Sequence, residues 1–184
     1  MKLIFKKLFE KIFTRITNSR IFKDYQLDLA NRIANISTQE TAEYVLQKME
    51  KVPWVETKED VHLFAMKHKK LEGLICEFGV YKGDSINFLA DYFNKTIHGF
   101  DSFEGLPETW NGYYQKGYFA INGLPEVKNN VSLHKGLFEE SIPEFINNTQ
   151  NKDQIIEYLH IDSDLYSSAK IIFNLLEKKI VKGT

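Results

Sequence analysis

The sequence predicts an α/β fold, a doubly wound parallel sheet preceded by N-terminal helices. Three observations carry this reading. Apolar runs of strand length recur at residues 74–80, 96–101, 131–135 and 155–161. Helical stretches separate them, and strands alternating with helices pack as a parallel sheet with right-handed crossovers. The 184 residues, 43% of them hydrophobic and 27% charged, suffice for one domain with a sizeable core.

The first segment is basic. Residues 1–22 carry Lys2, Lys6, Lys7, Lys11, Arg15 and Arg20 against Glu10 alone, while Phe5, Leu8, Phe9, Ile12, Phe13 and Ile16 recur at helical spacing. Charges interrupt this run too often for a signal-peptide core. A basic amphipathic helix can lie on an anionic membrane surface, or it can pack on its own domain or on a second subunit of a homo-oligomer. The packing reading is favoured.

Glu40 follows Ser37 by three residues, the spacing of a capping box that opens a helix running through Met49. Pro53 closes that unit, and residues 57–69 form a further helix leading into the sheet. The chain accordingly divides into a helical segment, 1–36, and an α/β domain, 37–184.

The first strand runs into Gly79-Val80-Tyr81-Lys82-Gly83 and then a helix over residues 85–93. Gly79 and Gly83 permit positive φ or close backbone approach, Asp84 or Ser85 can cap the helix, and its first N–H groups are free for an anionic ligand group. The spacing differs from the Gly-x-Gly-x-x-Gly of dinucleotide enzymes. The second strand ends at Asp101, roughly 20 residues beyond the glycines, where doubly wound folds place the acid that binds ribose hydroxyls. The third strand is closed by Gly136, and the fourth runs into Asp162-Ser163-Asp164. Ligands in such sheets bind at the carboxyl ends of strands, where Gly79, Asp101 and Asp162 all fall.

Residues 105–125 hold Trp110, Tyr113, Tyr114, Tyr118 and Phe119 among glycines without a clear period. They read equally as a lid whose aromatic faces suit a sugar or flat acceptor, or as loop-packing anchors. The five histidines show no metal-ligand spacing, and His160 reads as a strand-packing residue beside Asp162. Cys76, the lone cysteine, excludes an intrachain disulfide and a zinc finger, and a cytoplasmic location is the default. A net charge of −1 offers no argument for nucleic acid, and no apolar stretch approaches a membrane span.

Three motifs in order, Glu77-Phe78-Gly79-Val80-Tyr81-Lys82-Gly83, then Gly99-Phe100-Asp101-Ser102-Phe103-Glu104-Gly105-Leu106-Pro107-Glu108 with Trp110, then Leu159-His160-Ile161-Asp162-Ser163-Asp164-Leu165-Tyr166, resemble the macrocin O-methyltransferase family. That resemblance covers residues 37–184. It implies the Rossmann-like sheet of class I methyltransferases, S-adenosylmethionine held by Glu77, Gly79, Gly83, Ser85, Asp101 and Ser102, and transfer to a hydroxyl of a sugar or glycosylated metabolite. It further implies Asp162 as a Mg²⁺ ligand and Asp164 as general base. Alternate residues of an extended segment face one way, so both carboxylates can serve one cavity. The bland alternative is that both cap the helix starting near Ser167.

Relative to that family the sequence stops where a further strand, ending in the remaining metal-binding acids, would follow. The expectation is therefore a domain without its last strands, with one metal-binding carboxylate where the family uses three, Mg²⁺ binding weak or lost, and residues 155–161 as an open edge. A non-catalytic module that binds cofactor or docks on a partner or membrane is the competing function.

Overall fold

A computed structural model of the chain describes residues 28–184 together with Lys11, Ile12, Thr14 and Arg15. Those four are helical and exposed. The rest of the basic helix expected over residues 1–22, and its membrane-surface reading with it, lies outside the described residues. The chain forms two compact units, Met1–Trp54 and Val55–Thr184.

The first unit contains α1 (Leu29–Lys48), which buries none of its residues. Its N-cap is Asp28, whose carboxylate accepts from the Ala30 N–H at 2.9 Å. The capping box expected at Ser37 does not form, because the helix runs straight through residues 36 and 37 and Ser37 gives its carbonyl to Thr41 Oγ1 instead. Asp28 wins because it stands a full two turns earlier with a free side chain to offer the first N–H groups.

The second unit contains, in order, α2 (Lys58–His68), β1 (Leu74–Phe78), α3 (Asp84–Ala90), β2 (Ile97–Asp101), β3 (Val131–Lys135), α4 (Phe138–Asn147), β4 (Ile156–Ile161) and α5 (Tyr166–Leu176). A true capping box does start α2: Thr57 accepts from the Asp60 N–H, and the Asp60 carboxylate accepts from the Thr57 N–H. The four strands are parallel in the order β3-β2-β1-β4. The chain therefore winds outward from β1 to β3 and then crosses to the opposite side of β1, which makes the β1/β4 crevice the topological switch point. The doubly wound α/β fold expected from the sequence is thus the fold observed, and β4 stands at one end of the described sheet.

Alternation along β1 supplies both faces. Leu74, Cys76 and Phe78 join Phe100, Ile142, Phe145, Ile172 and Leu176 under α4 and α5. Ile75 joins Ile86, Leu89, Phe93, Ile97 and Tyr158 under α3. Burying such side chains contributes about 1.5–3 kcal/mol each.

Charged groups close the floor of the sheet. The Glu157 carboxylate, buried completely, pairs with Lys69 and with Lys95 at 2.6 Å and accepts from the Gly73 N–H at 3.0 Å. Lys179 donates to the carbonyls of Asn151, Lys152 and Gln154 at 2.7, 3.0 and 2.8 Å. No described helix is long and apolar enough to cross a membrane.

Candidate active site

The carboxyl ends of β1, β2 and β4 surround a cavity of about 530 Å³, the size of a small-molecule site. Its shape starts at Gly79, whose φ of 92° lies in the left-handed region. A Cβ there would collide with the Asp162 carbonyl, so only glycine lets the turn after β1 nest against the end of β4. Gly83, at φ 88°, is the N-cap of α3 and offers no side-chain cap. The cap expected from Asp84 or Ser85 is absent because both already lie within the helix, and the Ser85 hydroxyl donates to Glu77 Oε1 at 2.9 Å.

Asp101 organises the turn. Its Oδ2 accepts from the Val80 and Tyr81 N–H groups, both at 2.8 Å, and its Oδ1 accepts from the Phe103 N–H at 2.7 Å. Charge-assisted bonds of this kind contribute about 1.5–3 kcal/mol each. Most of this carboxylate is therefore committed to the protein backbone.

The sequence-selected residues divide in two. Gly79, Ser85, Asp101, Ser102, Asp162 and Asp164 line the cavity, whereas Glu77 and Gly83 lie behind its wall. Glu77 is completely buried. Its Oε1 takes the Ser85 hydroxyl and its Oε2 takes His160 Nδ1 at 2.9 Å. Asp164 has φ 58°, strained for a residue with a Cβ. Burial first, then the neighbouring Asp162 and Asp101 charges, push its carboxyl pKa above the ordinary value. Asp164 remains exposed, and its raised pKa makes it a better proton acceptor than an unperturbed carboxylate.

Among the described residues, no group of three or more His, Cys, Asp or Glu side chains is arranged to hold a metal ion. Asp162 and Asp164 supply two carboxylates at the end of β4, and Mg²⁺ on so few protein ligands takes the rest of its shell from water or ligand oxygens.

The loop after β2 forms one wall. Its neck is pinched where the Leu106 and Gly117 N–H groups bond to the Tyr118 and Leu106 carbonyls. Gly105 packs so tightly on the backbone of Gly117 and Tyr118 that a Cβ would not fit. From the tip inward run stacked Trp110 and Tyr114 and then Phe119, which meets Tyr81 of the glycine turn edge-on at 5.6 Å. Only Phe119 of these loop aromatics lines the cavity. Both alternatives for this loop thus have a share: most rings pack on each other, and one faces the site.

Lys58 and His62 of α2 also line the cavity, and sequence reasoning missed them. The only signal was a histidine within the helix preceding β1, and nothing local told its partner. In the structure His62 Nδ1 bonds the Tyr158 hydroxyl at 2.8 Å, a contact across 96 residues of chain.

Residues 76–184 match the family model described as "Methyltransferase domain". The chain is similar to the crystal structure of CalS11, a calicheamicin methyltransferase, at 20% identity and a TM-score of 0.52, with 95% of this chain and 73% of that one covered. It is also similar to the O-methyltransferase NovP at 17% identity and a TM-score of 0.46, covering 66% of this chain and 60% of that one. No curated protein matches the chain.

Proposed function

Since the chain belongs to the methyltransferase-domain family, we propose that it is an S-adenosylmethionine-dependent O-methyltransferase of the macrocin type, acting on a hydroxyl of a sugar or similar metabolite, with its methyltransferase domain spanning residues 37–184. The observation that carries this reading is the cavity at the switch point, which gathers Gly79, Ser85, Asp101, Ser102, Asp162 and Asp164 along one lining.

The cavity fits a nucleoside-sized ligand, and its turn is held by Gly79, which allows close approach at the carboxyl ends of β1 and β4. Gly79, Ser85, Asp101 and Ser102 would hold the cofactor, with Glu77 and Gly83 supporting them from behind. When bound, that cofactor supplies an electrophilic methyl group. The protein's own part is to exclude water, to orient the acceptor hydroxyl and to remove its proton. Asp164 takes that proton at its carboxylate, and Phe119 offers an apolar face to a sugar ring. Asp162, the residue that the family resemblance makes a Mg²⁺ ligand, would stand beside Asp164 in the same lining. The three-motif resemblance supports the hydroxyl acceptor.

Calorimetric titration with S-adenosylhomocysteine tests the reading, followed by transfer of labelled methyl to glycosides or nucleotide-linked sugars. Saturable one-to-one binding is expected. A folded chain that binds no S-adenosylhomocysteine would overturn the proposal in favour of a non-catalytic interaction module.

A further inference from the structure

This inference rests on the O-methyltransferase reading above and deepens it by naming a feature of the acceptor. Among the described residues, the buried polar side chains are those of His62, Glu77, Ser141, Glu157, Ser168 and Lys179. All but one have partners. His62 bonds the Tyr158 hydroxyl, Glu77 takes Ser85 and His160, Ser141 donates to the Leu137 carbonyl, Glu157 pairs with its lysines, and Lys179 donates to backbone carbonyls. Ser168 is 7% exposed, and its hydroxyl has no hydrogen-bond partner among the described residues.

A buried hydroxyl without a partner costs free energy, so a group of this kind points to a role outside the folded chain itself. Every side-chain polar atom that is sealed from solvent among the described residues does have a partner. The Ser168 hydroxyl is therefore not sealed, and it opens on the cavity that Ser168 lines from the first turn of α5.

Ser168 follows Asp164, the assigned base, by four residues and precedes Ile171 by three, so Ser168 and Ile171 share one face of α5, and all three line the cavity. The other polar side chains of this wall either accept or are engaged. Asp162 and Asp164 bring carboxylates, which only accept when ionised. Ser167 gives its hydrogen to Glu108 at 2.6 Å, and Ser163 is half-buried and within reach of water. Hydroxyl groups of an acceptor can be met by the carboxylates, whereas an oxygen that carries no hydrogen finds its donor at Ser168.

We infer that Ser168 is a specificity-determining residue for the acceptor: its hydroxyl donates a hydrogen bond to the ring ether oxygen of a sugar whose reacting hydroxyl faces Asp164. Ile171 offers apolar surface to the C–H groups that flank that oxygen. A phosphate or carboxylate at this place would be repelled by Asp162 and Asp164, and an ammonium would bond to them and leave Ser168 unmet.

The test uses trans-tetrahydropyran-3,4-diol and trans-cyclohexane-1,2-diol, which differ only in the ring oxygen. Each is titrated into the full chain saturated with S-adenosylhomocysteine and followed by the amide resonance of Ser168. The tetrahydropyran is expected to bind about three- to tenfold more tightly, the scale of one neutral hydrogen bond, and Ser168→Ala to bind the two alike. Equal binding of both by the unsubstituted chain, a preference that survives in Ser168→Ala, or no shift with either diol would overturn the inference alone. A chain that binds no S-adenosylhomocysteine would overturn the cofactor reading and this inference with it. Thermal melting without any ligand gives a readout that a structural role would move. Ser168→Ala removes an unpartnered hydroxyl and installs a better helix former, so its melting temperature is expected to match or exceed that of the unsubstituted chain. A lowered melting temperature would show that the hydroxyl serves the fold, and would overturn the inference.

Discussion

Ser167 Oγ donates to Glu108 Oε1 at 2.6 Å, tying the loop after β2 to the first turn of α5 across the cavity mouth. The bond is exposed, so it contributes about 1 kcal/mol or less to stability. Ser167→Ala is expected to leave the melting temperature nearly unchanged while raising amide exchange across residues 106–118 several-fold. Hydrogen exchange with mass spectrometry checks this, and an unaltered exchange pattern would show that the pinched neck alone holds the loop.

Gly79→Ala puts a methyl group against the Asp162 carbonyl at a backbone angle that L residues rarely adopt. A loss of more than about 3 kcal/mol is expected from overpacking and strain together. Urea denaturation measures it. A loss below 1 kcal/mol would mean that β1 and β4 can separate at their carboxyl ends without cost.

Asp101→Asn keeps one carbonyl oxygen but turns an amide donor toward backbone N–H groups. The variant is expected to lose about 2–3 kcal/mol, because at least one N–H loses its acceptor and the charge assistance goes. The same denaturation experiment decides it. A wild-type midpoint would show that the turn after β1 is held by packing and not by this carboxylate.

Asp164→Asn separates chemistry from folding. Methyl transfer is expected to fall by about 10²-fold or more, with S-adenosylhomocysteine binding kept. Stability should rise at pH 7. A carboxyl whose folded pKa lies above its unfolded value contributes stability only while protonated, and that contribution is lost as pH rises through the folded pKa. Asparagine removes the burdened charge and also tolerates φ 58° better than most residues. Retained turnover would remove Asp164 from the role of base.

His98 Nδ1 and His134 Nε2 lie 3.1 Å apart between β2 and β3. Burial lowers both pKa values, that of His98 to about 4 from an ordinary 6.5, with His134 adding to the effect on His98. Between those values the unfolded chain binds more protons than the folded one, so stability falls as pH drops from about 6.5 toward 4. Melting curves at successive pH values should show this slope, and His98→Phe should flatten it. An equal slope in the variant would assign the acid sensitivity to other groups.

How much of this was legible depended on range along the chain. The span 131–135 coincides with β3, and the other strands fall within a few residues of their expected spans, because apolar runs bounded by glycine and carboxylate residues are local signals. The cavity's glycine and acid residues were legible for the same reason. Ser37 misled, since a capping box is a local pattern that any earlier cap in a continuous helix overrides. The roles of Glu77 and Asp101 were illegible: Glu77 is set by donors 8 and 83 residues away and Asp101 by two donors 20 and 21 residues away besides the nearby Phe103, and spacing alone cannot reveal which donors a fold delivers. Lys58 and His62 escaped because they sit before the motifs, on a helix whose pattern marks it only as packing material.

The three backbone bonds to Asp101 also bear on the thermodynamics of ligand capture. Loops that wrap a ligand ordinarily surrender backbone freedom when the complex forms, at about 1–2 kcal/mol for each residue ordered. Here Val80, Tyr81 and Phe103 are already immobilised by a carboxylate of the neighbouring strand. The entropy of ordering that rim was lost when the chain folded, so association at this end of the sheet begins from a preorganised surface, and contact energy there converts into affinity with little deducted for loop closure.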